Sequence, residues 1–219
     1  NPSFVTLTGY QADEVIGENP RIWQSGQTDQ ETYKKLWSTL KSGQKWQGEV
    51  LNKTKDGQLY WELARISPIE NDAGEITHFV AIKEDITARK EKEQQMWQQA
   101  HYDSLTALPN RKLFVKNLEQ AITSAQQENT LVAVLYIDLD GFKAINDKHG
   151  HAVGDELLVK AAQRLTECVR SSDSVARLGG DEFVITLADI DDKKAGQKVA
   201  QKVTQALALP FALERITVS

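Results

Sequence analysis

Apolar positions follow two rhythms along this chain, and a polar stretch at 86–102 separates them. Ahead of it, short half-apolar runs at 46–54, 59–69 and 76–82 read as strands. Lys55-Asp56-Gly57-Gln58 and Asn71-Asp72-Ala73-Gly74-Glu75 lie between them, and Asp-Gly is a strong hairpin signal. Three antiparallel strands form a meander that needs a covering layer, which the helical material of 2–45 supplies. Residues 86–102 hold no Gly or Pro and mostly favour helix, with Thr87 placed to cap the start. Met96, Trp97 and Ala100 give this helix only a thin apolar stripe. That pattern fits a connector pairing with its own copy and equally a solvated linker.

From Asp103 onward the rhythm becomes α/β. A helix over 112–127 precedes Leu131-Val132-Ala133-Val134-Leu135-Tyr136-Ile137, a near-continuous apolar run that predicts a central strand covered on both faces. Helices follow at 144–148 and 154–169, the second carrying Leu157, Leu158, Ala161, Ala162, Leu165 and Val169 on one face. Two strand-like runs, 175–178 and 184–187, flank Gly179-Gly180 and predict a hairpin, and a last helix covers 195–207. Asn1-Pro2-Ser3-Phe4 reads as mid-helix and Ile216-Thr217-Val218-Ser219 as a strand just beginning, so the chain is expected to be a piece of a longer protein.

Composition narrows the picture modestly. At 219 residues two domains are expected, and 40% hydrophobic residues, 26% charged residues and a net charge of -5 describe an ordinary globular chain. Basic residues are dispersed among an excess of acids, so no nucleic-acid surface is expected. One cysteine, Cys168, excludes an internal disulfide framework and fits a reducing, cytoplasmic setting. No apolar run reaches the length of a membrane span.

The hairpin tip holds the sharpest chemistry. Asp181 and Glu182 stand side by side after Gly179-Gly180 with no basic residue in the turn, an arrangement a divalent cation would stabilise. A third carboxylate, Asp138, closes the apolar strand, and the backbone carbonyl of Leu139 is a further oxygen ligand. An all-oxygen donor set favours Mg²⁺, which completes its shell with water and phosphates and so points to a nucleotide. Gly141-Phe142-Lys143 opens a helix whose free N–H groups suit a phosphate, although no P-loop pattern is present. Asn146 and Asp155 carry the hydrogen-bonding groups to read a purine edge. Each has a plain structural reading too, Asn146 as a helix-end residue and Asp155 as an N-cap, and spacing does not choose between them.

Three blocks resemble the signatures of the GGDEF family, the diguanylate cyclases. They are Ile137-Asp138-Leu139-Asp140-Gly141-Phe142-Lys143-Ala144-Ile145-Asn146-Asp147, Gly150-His151-Ala152-Val153-Gly154-Asp155 and Arg177-Leu178-Gly179-Gly180-Asp181-Glu182-Phe183. His101-Tyr102-Asp103-Ser104-Leu105-Thr106-Ala107-Leu108-Pro109-Asn110-Arg111 is similar to the family's N-terminal motif. The resemblance covers 101–219 in order. It implies a palm-like α/β nucleotidyl cyclase fold and condensation of two GTP to cyclic di-GMP with loss of pyrophosphate. It further implies Mg²⁺ (or Mn²⁺) on Asp138, Leu139, Asp181 and Glu182, with Asp181 or Glu182 helping to deprotonate the attacking 3′-hydroxyl. Guanine would be read by Asn146 and Asp155, and phosphates by the amides of Phe142 and Lys143. Gly179 and Gly180 would let the backbone approach those phosphates. Arg170-Ser171-Ser172-Asp173 matches the family's inhibitory R-x-x-D site for product, on Arg170 and Asp173. The family's late phosphate-contacting Lys and Arg lie beyond Ser219. The Leu108-Pro109-Asn110-Arg111 form is similar to GGDEF domains followed by an EAL phosphodiesterase domain. The alternative is therefore a non-catalytic module that binds GTP or cyclic di-GMP and regulates such a neighbour.

The N-terminal part resembles a PAS domain with its PAC region. The carrying residues are Asn1-Pro2-Ser3-Phe4, Leu7-Thr8-Gly9-Tyr10, Val15-Ile16-Gly17-Glu18-Asn19-Pro20-Arg21, Trp46-Gln47-Gly48-Glu49, Lys55-Asp56-Gly57 and Glu84-Asp85-Ile86-Thr87. Pro20 stands where photoreceptor relatives carry a flavin-reactive cysteine, which excludes covalent flavin photochemistry. A non-covalent flavin would have Asn19 and Trp46 as contacts, while Trp23, Trp46 and Trp61 have the plainer reading of core aromatics. The expected organisation is α+β: a PAS/PAC sensor at 1–88, a helical linker at 89–102 and a GGDEF domain at 103–219. A homodimer through the sensor and linker is expected, because each product needs two GTP held by facing sites.

Overall fold

The computed structural model describes residues 2–213 and 216–218, in two compact units that meet within one helix, at Gln95 and Met96. In the N-terminal unit, α1 (Pro2–Thr8), α2 (Ala12–Val15), a 3₁₀ turn (Pro20–Trp23) and α3 (Gln30–Lys41) precede an antiparallel meander. Its strands are β1 (Trp46–Lys53), β2 (Leu59–Glu70) and β3 (Ile76–Asp85), in the order β1-β2-β3. Asp29 caps α3 by accepting from the Glu31 N–H, and Leu36 and Leu40 of α3 pack against Trp46, Val50 and Ala64 of the sheet. Trp46 lies so close over Gly48 that a Cβ there would stand 2.4 Å from the indole, which is why the strand takes glycine at this point. Trp46 is thus a core residue, and Asn19 caps the 3₁₀ turn through the Arg21 N–H. Glu62 is buried on β2 and bound to Lys83 of β3 at 2.9 Å.

α4 (Thr87–His101) begins where Asp85 Oδ1 accepts from both the N–H and the hydroxyl of Thr87. The Thr87 hydroxyl also accepts from the Trp61 N–H, at 2.9 Å. Thr87 therefore sits inside the helix rather than capping it, and Asp85 holds its first turn. Glu49 of β1 binds both Arg89 (2.9 Å) and Lys90 (2.5 Å). The Lys90 ammonium, first, and the Arg89 guanidinium hold the Glu49 carboxyl below its ordinary range.

In the C-terminal unit, α5 (Arg111–Glu128), β4 (Leu131–Asp138), α6 (Phe142–His149) and α7 (His151–Cys168) lead to the hairpin. β5 (Ser174–Gly179), β6 (Glu182–Ile190), α8 (Lys193–Ala208), β7 (Phe211–Ala212) and β8 (Thr217–Val218) follow. The short β8 pairs with β7, as a strand beginning at Ile216 leads one to expect; Asn1 and Ser219 lie outside the described residues. The sheet order is β4-β6-β5, all antiparallel. Phe183, Val184, Ile185, Thr186 and Leu187 of β6 are all buried. Their alternation sends Phe183, Ile185 and Leu187 into the core with α7, and Val184 into a second cluster with Phe114 of α5.

The strand covered on both faces is therefore β6, not β4. Among the described residues β4 pairs with β6 alone, and its Val134 and Tyr136 are 36% and 72% exposed. Leu135 and Ile137 on its other face do pack against the core. The continuous apolar run masked a strand buried on one face only. On α7, Leu157, Leu158, Ala161, Ala162 and Leu165 are buried as their spacing predicts, joined by Cys168. Arg164 on α7 donates to the carbonyls of Ala206, Leu209 and Pro210 and stacks 3.7 Å over Phe211, closing the C-terminus of α8.

Candidate active site

The β4–β6 register places Asp138 directly opposite Glu182, with Asp181 in the turn just before it. Like charges facing across a strand pair repel. The Asp138 carboxyl is pushed above its ordinary range, chiefly by the charge of Asp181, then by desolvation, Asp140 and Glu182. Sequence reasoning put Asp138 at the end of a central strand; among the described residues that strand pairs with β6, and Asp138 meets the hairpin acids across that pairing. Asp138 and Asp140 line a cavity of about 550 Å³ walled also by Ile137, Leu139, Ile145, Leu157 and Val203.

No three His, Cys, Asp or Glu side chains among the described residues are grouped tightly enough to hold a metal unaided. Mg²⁺ takes one or two carboxylates and fills the rest of its shell with water and phosphate. The mutual repulsion of Asp138, Asp181 and Glu182 is what a divalent cation relieves, so the residues fit it.

Gly179 and Gly180 have φ of 141° and 52°, conformations that L side chains rarely adopt. A Cβ at either would meet nothing within 4 Å, so the turn's own backbone, rather than crowding in the chain, requires glycine. Gly141, φ 77°, starts α6 in the left-handed region. The Phe142 N–H is taken by the Leu139 carbonyl at 3.2 Å, so Phe142 offers no free amide in this state; Lys143 follows in the exposed first turn.

Both plain readings of the purine pair fail. Asn146 lies inside α6, and Asp155 is exposed in the second turn of α7, whose N-cap is Gly150. The Asn146 Oδ1 is buried without a hydrogen-bond partner among the described residues. It rests on Gly154, where a Cβ would come within 2.0 Å of it. A buried amide oxygen left unmatched is an unfilled hydrogen-bonding requirement.

Arg170 and Asp173 line a separate cavity of about 360 Å³, with Leu108, Pro109, Thr166 and Val175. Asp173 is already engaged there, accepting from the N–H groups of Arg170 (2.9 Å) and Ala188 (3.3 Å).

Two arginines went unassigned in the sequence although both sit inside the motif blocks. Arg177 donates from Nε and Nη2 to the Gly180 carbonyl (3.0 and 2.7 Å) and from Nη1 to Asp103 (2.9 Å). It thereby ties the N-terminal motif to the hairpin turn, and its N–H also donates to the Pro109 carbonyl. Burial raises the Asp103 carboxyl, but the Thr106 hydroxyl and N–H and the Arg177 guanidinium more than offset this and leave it below its ordinary range. Ala107, in the same motif, is held at φ 57°. Arg111 approaches Glu182 at 3.6 Å in solvent.

The comparisons with known proteins fall on the same residues. The family model described as diguanylate cyclase, GGDEF domain, matches residues 100–219, and a PAS domain model matches 1–88. The chain is 45% identical over 118 residues to MucR of Pseudomonas aeruginosa, a bifunctional diguanylate cyclase/cyclic di-GMP phosphodiesterase. That match covers 54% of this chain and 17% of MucR. The solved GGDEF domain of TpbB, also from Pseudomonas aeruginosa, superposes with a TM-score of 0.53 at 44% identity, covering 54% of this chain and 70% of that one. The coiled coil and GGDEF domain of DgcB from Caulobacter crescentus, solved in complex with c-di-GMP, match at 26% identity and a TM-score of 0.50, over 54% of this chain and 61% of that one. With the acidic strand end, the glycine hairpin and the matching blocks in one unit, the chain belongs to the diguanylate cyclase GGDEF-domain family, with a PAS domain preceding that domain.

Proposed function

We propose that the protein condenses two GTP into cyclic di-GMP with release of two pyrophosphates, under control of its PAS domain. The observation that carries the reading is Asp138 facing Glu182 beside Asp181, with the Asp138 carboxyl raised above its ordinary range chiefly by the charge of Asp181. Asp138, the Leu139 carbonyl, Asp181 and Glu182 are the residues that would hold Mg²⁺ or Mn²⁺. Bound there, the ion would lower the pKa of the 3′-hydroxyl and neutralise the departing pyrophosphate. Asp181 or Glu182 accepts the 3′-hydroxyl proton as that oxygen forms its bond to the α-phosphorus. The bond from the α-phosphorus to the bridging oxygen breaks, and pyrophosphate carries away the electron pair. Two chains with facing sites perform this step once each per product. Chromatographic product analysis after incubating the full-length protein with GTP and Mg²⁺ is the direct test; absence of both cyclic di-GMP and the linear dinucleotide would overturn the reading.

Asn146 and Asp155 read guanine in this proposal, and Gly154 keeps the Asn146 side chain in place. Gly154→Ala forces that side chain aside while adding a better helix former. The expected outcome is a KM for GTP up roughly tenfold, as for loss of a recognition hydrogen bond, with a lower melting temperature from crowding against Asn146 and Phe142. An unchanged KM would remove Asn146 from guanine recognition.

Product feedback through Arg170 and Asp173 belongs to the same proposal, supported by their place on one cavity wall. Arg170→Ala is expected to weaken inhibition by cyclic di-GMP at least about tenfold, the effect of losing a charged bidentate donor. Its initial rate should stay near that of the parent. Parental inhibition in the variant would leave Arg170 a structural residue. The similarity to bifunctional MucR favours one second reading, a GTP-binding module that regulates an attached phosphodiesterase. GTP-stimulated hydrolysis of cyclic di-GMP without synthesis would select it.

A further inference from the structure

Arg111 is the first residue of α5, where the helix macrodipole disfavours a cation. The first turn nonetheless carries Arg111 and Lys112 and no acid, so helix formation alone gives no reason for this guanidinium. Its backbone is firmly held. Asn110 caps α5 by accepting from the Lys112 and Leu113 N–H groups. The same residue donates to the Ala100 carbonyl from Nδ2 (3.0 Å) and to the His101 carbonyl from its N–H (2.8 Å). From that anchor the Arg111 side chain reaches Glu182 across 3.6 Å, with both partners more than half exposed.

Asp138 faces Glu182 across the β4–β6 pair, and Asp140 and Asp181 lie within two residues of them. Of these four carboxylates only Glu182 has an ion-pair partner among the described residues, and that partner is Arg111. Arg177 does not serve them, because Nε and Nη2 are spent on the Gly180 carbonyl and Nη1 on Asp103. The two arginines thus divide the hairpin: the shielded one fixes its backbone, and the exposed one meets its carboxylate. A contact so long and so open to water adds little stability and exchanges easily. A divalent cation drawn to Glu182 meets the guanidinium there as a like charge.

We propose that Arg111 is the exchangeable counter-ion of Glu182 and thereby sets the concentration at which a divalent cation fills the acidic site. It is a positioning residue, acting only through the carboxylate it holds, and the inference rests on the metal assignment of the proposed function. Titration of the nucleotide-free full chain with Mn²⁺, read by electron paramagnetic resonance of the free ion, tests the two separately. The parent should bind Mn²⁺ saturably, and Asp138→Asn should weaken that binding. Arg111→Gln should tighten it about two- to fivefold, the span of one exposed ion pair. Arg111→Lys, which keeps the charge, should return it to the parental value. The gap between parent and Arg111→Gln should narrow as salt is raised. A residue that merely supported the fold would, on removal, lower both the Mn²⁺ affinity and the melting temperature. Unchanged or weaker Mn²⁺ binding in Arg111→Gln, with Asp138→Asn still impaired, would overturn the role of Arg111 and leave the metal site standing. Mn²⁺ binding indifferent to Asp138→Asn would overturn the metal assignment itself, and this inference with it.

Discussion

Asp138→Asn should lower turnover of GTP by the full-length protein about 10²–10³-fold, the scale of losing one electrostatic group aimed at the reacting phosphate. The same variant should melt at the parental temperature or slightly above it. The sign follows from the raised carboxyl: a group harder to ionise in the folded than in the unfolded chain opposes folding increasingly as the pH rises past its unfolded-state pKa, and fully above its folded-state pKa. At neutral pH the variant therefore loses a repulsion rather than a contact. Melting curves with and without Mg²⁺ add a reading independent of turnover, because the cation should stabilise the parent more than the variant. Parental turnover in Asp138→Asn would remove Asp138 from the metal site, and a large drop in melting temperature would make it a packing residue.

Arg177→Ala is expected to destabilise the C-terminal unit markedly. The guanidinium is 11% exposed and its partner Asp103 22%, so the pair is mostly shielded, and three of its donor bonds disappear together. Discounted for the solvent that Asp103 still sees, the loss is about 2–3 kcal/mol, or on the order of 10 °C in the melting of that unit. Activity should fall with it, because the Gly180 carbonyl that shapes the hairpin is released. The destabilisation should be largest at neutral pH and shrink as the medium is acidified through the range where Asp103 protonates. A carboxyl held below its unfolded value contributes stability only while ionised. Arg177→Lys should recover only part of the loss, since one ammonium cannot serve the Gly180 carbonyl and Asp103 in the same fork. A variant as stable as the parent would show that the N-terminal motif and the hairpin stay joined without it.

The elements of both units were legible along the chain because their signals are local. Asp56-Gly57 and the Asn71–Glu75 turn punctuate three strands that pair as a meander, and the 3.6-residue spacing of Leu157, Leu158, Ala161, Ala162 and Leu165 exposes one core face of α7. The acidic residues Asp138, Asp181 and Glu182 stood out for the same reason, as carboxylates at strand ends beside glycines. Which strand is central was not local information. Leu131–Ile137 is the more apolar run by eye, yet among the described residues β6 pairs on both sides, with β4 and β5, and is covered on one face by α5 and on the other by α7. Spacing likewise did not choose between a helix-end and a purine-reading role for Asn146, whose amide the packing of α6 on α7 sets against Gly154. The partnership of Arg177 with Asp103, 74 positions apart, follows no sequence period. Propensity and alternation act over a few residues, and they suffice to write helices, turns and the acids those elements carry. Register between distant strands, the cross-strand meeting of Asp138 with Glu182, and the burial that leaves an amide or hydroxyl unmatched arise only when the layers close over one another.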